Sequence, residues 1–160
     1  MRTPASFTTQ AFDFVARQKV GGVSLSYFIL KQLPALSPDI FTKPDIDFIV
    51  SRVLELTYTA YDLKAWAAAL GYTDSPFPFD PERRAQLRAE LDAYFAMLYG
   101  LSRDELRYIL DPADAMGPDY PSETFRVLKH NEERAFGEYR TRRLVLAAWD
   151  ALAEKGFRPG

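Results

Sequence analysis

The side chains in this chain that could do chemistry are few, and most are cationic. Arg17 and Lys19 flank Gln18 just before Gly21-Gly22. At such a place backbone can approach a ligand closely, and arginine or glutamine can reach phosphates or base edges. The same cations also suit a helix C-terminus, where the dipole favours positive charge. Lys31 follows in the next apolar run. Lys129, His130 and Arg134 form a second basic group, continued by Arg140, Arg142 and Arg143. These either contact phosphates or make a charged outer face balanced by Glu132, Glu133 and Glu138. Arg83, Arg84, Arg88, Arg103 and Arg107 alternate with acids and read as plain surface.

Other chemistries lack their parts. There is no cysteine, hence no disulfide, thiolate nucleophile or Cys-based zinc site, and His130 is the one histidine. A lone histidine without a triad signature reads as structural or surface. Asp45, Asp47 and Glu55 are carboxylates on a predicted helix, without the strand frame of a metal-dependent nuclease. No Walker loop, Gly-x-Ser-x-Gly elbow or His-Glu-x-x-His occurs. The chain is therefore read as no enzyme by itself, with no cofactor and no metal.

Length and balance bound the answer further. The 160 residues fit one domain able to bury a core, and 48% hydrophobic with 14% aromatic content argues against disorder. A formal charge of −2, from 20 Lys+Arg against 22 Asp+Glu, is unlike a self-sufficient DNA-binding domain. Any DNA contact must come from a local patch. No stretch has the apolar length of a membrane span, and the N-terminus lacks a signal peptide's apolar core. The expectation is a soluble, cytoplasmic protein that engages no membrane.

The elements that must position these residues are mainly helical. Thr8 or Thr9 can cap a short helix carrying Phe12, Val15 and Ala16 and ending near Lys19. VSLSYFILKQLPAL reads as a short helix capped by Ser26, followed by an extended LPAL segment. Thr42-Lys43-Pro44-Asp45 starts a helix with Ile46, Ile49, Val50, Val53 and Leu54 on its apolar face. It weakens around 58–60 and resumes from Tyr61 to Leu70, with Gly71 as its end. The phenylalanines of the GYTDSPFPFDP loop are expected to be pinned to the core. Trp66 and Trp149 fall on apolar faces and read as core.

Asp80, Pro81 and Glu82 open the next helix. Leu87, Leu91, Tyr94, Phe95 and Leu98 line its inner face, and Arg88, Glu90 and Asp92 the other. Gly100 stops it, and Ser102-Arg103-Asp104-Glu105 restarts the chain with a capping box. Asp111-Pro112 closes that second helix, and 111–121 reads as loop. A helix from Ser122 to about Phe136, a break at Gly137 and a last helix from Tyr139 to Lys155 complete the order. The fold expected is a mainly α, irregular bundle of six to seven helices, with at most one short extended segment near the N-terminus.

PFPFDPERRAQLRAELDAYFAMLYGLSRDELRYILDP resembles the tail of large N6-adenine DNA methyltransferases of the type IIG restriction–modification kind. FDFVARQKVGG and FGEYRTRRLVLAAWDAL match that tail too, so the likeness runs from about Phe12 to Leu152. The glycine-rich cofactor loop and the Asn/Asp-Pro-Pro-Tyr/Phe motif of such enzymes are absent; SPFPFDP and GPDYP lack that order.

The resemblance implies a non-catalytic C-terminal region. Residues 1–8 are then a disordered leader, with Met1 beginning a fragment or truncated frame. Residues 9–37 are the end of a target-recognition-like domain, leaving an apolar face in need of cover, and 38–158 are a helical domain packed with it as one unit. It implies weak DNA contact through a larger assembly, by Arg17, Gln18, Lys19, Gly21, Gly22, Lys31, Lys129, Arg140, Arg142 and Arg143. The partners implied are DNA and the methyltransferase catalytic region, in cis or trans. The alternative is a helical protein–protein module that binds that core, or itself, without touching DNA.

Overall fold

The computed structural model describes residues 9–20, 26–121 and 124–157. The expected leader at 1–8, together with Gly21, Gly22 and Ser122, lies outside them. In chain order the helices are α1 (Gln10–Lys19), α2 (Tyr27–Leu30), α3 (Lys43–Thr57), α4 (Lys64–Ala69), α5 (Pro81–Leu98), α6 (Arg103–Leu110), α7 (Pro112–Met116), α8 (Arg126–Phe136) and α9 (Arg140–Glu154). Turns of 3-10 helix precede α3 and α4, and the described residues hold no strand. The mainly α expectation stands. The helix count is higher than expected because Pro112–Met116, read as loop, forms one helical turn started by its proline.

The center of the fold is α5. It packs most extensively on α9 and also meets α3 and α1. Asp80 accepts the backbone N–H groups of Glu82 and Arg83 at its N-terminus. At its other end Gly100, at φ 73°, lets the Gly100 and Leu101 N–H groups donate back to the Met97 and Ala96 carbonyls. Leu87, Leu91, Tyr94 and Phe95 are buried as their spacing requires. Ala89, Ala93 and Ala96 are buried too, and such small side chains let neighboring helices close in from further sides. From Leu91 to Met97 the helix therefore has no wet stripe, and Asp92, read as outward, is buried.

A second interior carboxylate ties α3 to α5. Thr42 and Asp45 form the capping box of α3, and the Tyr94 hydroxyl donates a short hydrogen bond to Asp45. Burial pushes the Asp45 carboxyl up, but hydrogen bonds from Thr42 and Tyr94 outweigh it and hold it below the usual carboxylate range. Phe48 and Phe157 stack on the Tyr94 ring at 4.0 and 4.3 Å. Asp45 thus takes an inward position, and Ile46, expected inside, is half exposed.

A smaller core lies where α3 ends. Tyr58 is fully buried, its carbonyl accepts the Phe77 N–H at 2.9 Å, and Leu54, Ala67 and Trp66 pack around it. Phe77 stacks on Tyr72 at 4.8 Å, as the loop reading expected. Phe79 does not join the core: it is 70% exposed beneath the Arg84 guanidinium.

The capping box predicted for α6 is formed. The Ser102 hydroxyl accepts the Glu105 N–H, and the Glu105 carboxylate accepts the Ser102 N–H at 2.7 Å. Ser102→Ala is expected to cost about 1 kcal/mol, read as a lowered urea midpoint with unchanged slope. Downstream, α8 starts at Arg126, later than Ser122, with Phe125 buried at its N-cap. Gly137, at φ 76°, turns the chain into α9, whose Val145, Ala148 and Leu152 face α5 in the main core. Trp149 packs at its margin.

Candidate functional site

The cations singled out by the sequence divide into two groups. At the end of α1, Arg17 pairs with Asp13 one turn back at 3.0 Å, and its guanidinium lies 5.5 Å from the center of the Phe125 ring. Gln18 and Lys19 are exposed. Lys31 is also exposed, with its Nζ 4.5 Å over the ring of Tyr27. An exposed pair of the Arg17–Asp13 kind holds its partners weakly, so Arg17 can turn to a phosphate at little cost.

Three of the α8 and α9 cations, Lys129, Arg140 and Arg142, are committed inward. Lys129 Nζ lies 2.7 Å from Asp111, which is 1% exposed, and Arg142 reaches Asp111 at 3.2 Å and Asp114 at 2.8 Å. Arg140 pairs with Glu82 of α5 at 2.6 Å and stacks over Phe136. Arg143 pairs with Glu138, the one match among the acids expected to balance this group. Glu132 instead caps α9, accepting the Thr141 N–H and hydroxyl at 2.7 and 2.6 Å. His130 and Arg134 are exposed on α8.

The groove between α6 and α9 repeats this pattern. Arg103, Arg107, Arg142 and Arg143 line it, interleaved with Asp114, Glu138 and Asp150. Each guanidinium is bonded to a carboxylate, so the groove offers no concentrated positive field. Arg83 and Arg84 are likewise engaged, with Glu55 and the Leu56 carbonyl.

The buried carboxylates escaped the sequence reading. Asp92 accepts the Gln10 N–H at 2.7 Å, joining the first turn of α1 to α5. Burial pushes its carboxyl up to about 7, against that hydrogen bond and the charge of Arg88. Gln10 Oε1 and Tyr139 Oη are buried, with no hydrogen-bond partner among the described residues. Burial and the nearby carboxylates of Glu132, Asp111 and Asp92 push the Tyr139 phenol above its ordinary range. The only signal for Asp92 was an acid set between Leu91 and Ala93 in an otherwise apolar run. Among the described residues, no three His, Cys, Asp or Glu side chains are grouped to hold a metal ion, and no helix is long and apolar enough to cross a membrane.

The arrangement leaves cations in solvent at the end of α1 and uses those of α8 and α9 to hold helices together. No family model, no curated protein and no solved structure matches the chain.

Proposed function

We propose that the chain is the non-catalytic C-terminal part of a type IIG-like N6-adenine DNA methyltransferase, working in the cytoplasm. Residues 9–37 complete its target-recognition domain, and α3 to α9 form a scaffold against the catalytic region, in cis or in trans. The observation that carries this reading is the division of the cations. Lys129, Arg140 and Arg142 are spent on carboxylates of other helices, whereas Gln18, Lys19 and the loosely paired Arg17 face solvent. Residues 9–37 carry Arg17, Lys19 and Lys31 against the single acid Asp13, inside a chain of net charge −2.

So few phosphate contacts imply weak duplex binding by this chain alone, in the range of about 10⁻⁴ to 10⁻⁶ M typical of non-specific complexes. The salt slope should be shallow, with about one unit of log K lost per tenfold salt for each phosphate neutralised. Replacing Arg17 and Lys19 together with alanine is expected to weaken binding and lower that slope by about two. Replacing Arg83 and Arg84 should change little. Duplex titrations over a range of salt read both effects. A second reading, a scaffold that touches no DNA, draws support from the acid-leaning charge. Absence of binding by the unaltered chain at low salt would establish it over the first.

A further inference from the structure

Two surface features, the first of them ending at the Lys31 of that reading, complement each other in charge. The first is α2. It buries none of its residues: Tyr27 is 71% exposed, Phe28 74% and Leu30 41%, and Lys31 follows directly. Large apolar side chains this exposed, side by side on one short turn, mark an interaction surface. The chain just beyond is pinned to the body, with Leu33 buried and the Tyr99 hydroxyl donating to the Pro34 carbonyl at 2.8 Å. The apolar turn is thus held out from a fixed base.

The second feature is a groove of about 610 Å³ between α6 and α7. Leu101, Tyr108, Ile109, Ala115 and Met116 line it. The charged Asp104, Glu105 and Arg107 complete the lining, and Asp104 and Glu105 are exposed. Met116 is 62% exposed, so the groove is open to an incoming side chain. Its volume lies within the roughly 300–1,000 Å³ of clefts that hold small ligands, ample for one or two aromatic rings.

We propose that α2 of one copy seats in the α6–α7 groove of a second copy. Phe28 and Tyr27 enter the apolar floor, and Lys31 meets the acidic rim at Asp104. Charge complementarity argues for this occupant: Arg107 in the lining is neutralised by Asp114 and Glu105 is bonded to Ser102, which leaves Asp104 as the exposed acid for Lys31. The contact joins two different surfaces, so a pair makes it either once, head-to-tail with a free α2 and a free groove at its ends, or twice, closed about a two-fold axis. The area that one turn can cover is below that of a standard interface, which makes the association weak and concentration-dependent.

Sedimentation velocity of the full chain, and of Phe28→Glu and Met116→Glu, tests it. Both substituted side chains are exposed, and circular dichroism verifies that each variant folds. The unaltered chain is expected to be monomeric at about 5 μM and to shift to larger species by about 500 μM, less so at high salt. Each variant alone should stay monomeric over that range. An equimolar mixture should form dimers and stop there, since Met116→Glu keeps its α2 and Phe28→Glu keeps its groove. A monomeric unaltered chain at the highest concentration overturns the proposal. So does either variant associating as the unaltered chain does, or a mixture that remains monomeric. Lys31 is common to both readings, but the Arg17 and Lys19 replacements of the duplex titrations lie outside both docking surfaces, so the two tests can fail separately.

Discussion

Asp111→Ala is expected to lower stability by about 3 kcal/mol, the lower end of what breaking a buried ion pair costs. Asp111 sits between α6 and α7, is 1% exposed, and receives Lys129 from α8 and Arg142 from α9. One carboxylate therefore holds three parts of the bundle to one point. Removing it leaves two cations facing a dry position. Both are about a third exposed and Arg142 keeps Asp114, so they recover some solvation, and the loss stays near the lower bound. Glu138→Ala makes the contrasting case. It breaks only the Arg143 pair, whose partners are 55% and 43% exposed, and should change stability by less than about 1 kcal/mol. Urea midpoints of the two variants measured side by side decide the matter. Equal effects would mean that Asp111 is not the point where these helices are joined.

The second large effect is a dependence of stability on pH that runs against the usual direction. The Asp92 carboxyl titrates at about 7 in the folded chain, against an ordinary value of 3.8. Between those values the folded chain keeps the proton and the unfolded chain has lost it. The native state then binds more protons, so stability falls as pH rises through this window. Below 3.8 the favorable contribution is complete, and above about 7 it is gone. The whole difference is about 4 kcal/mol, at about 1.4 kcal/mol per tenfold change in proton affinity. More than half of it falls between pH 5 and 8. The carboxylates held low by partners, Asp45, Glu55, Glu105, Glu138 and Asp150, act below this range and with the opposite sign. Asp92→Asn keeps an acceptor for the Gln10 N–H without a charge to bury. It should be more stable than the parent at pH 8 and lose this component of the pH dependence. Unfolding curves at both pH values, showing the same slope for parent and variant, would remove Asp92 as its source.

Helix limits were legible because the signals that set them are local. Asp80-Pro81, the Thr42–Asp45 and Ser102–Glu105 boxes, Gly100 and Gly137 all act on backbone groups within one turn of themselves. Apolar spacing likewise placed Leu87, Phe95 and Val145 inside. The fate of the polar residues was not local. Asp92 is buried by an α1 residue 82 positions away, Asp45 by Tyr94 at 49, and Asp111 collects cations 18 and 31 residues downstream. A charge goes inside only where a partner and neighboring surfaces remove its water together, and periodicity records neither. The basic residues followed the same logic. Lys129 and Arg17 look alike in the sequence, yet one is locked onto an interior carboxylate and the other faces solvent with a weak partner. Packing of α8 and α9 against the α6–α7 junction made that choice, since there a carboxylate from a distant segment meets the guanidinium and ammonium groups away from water.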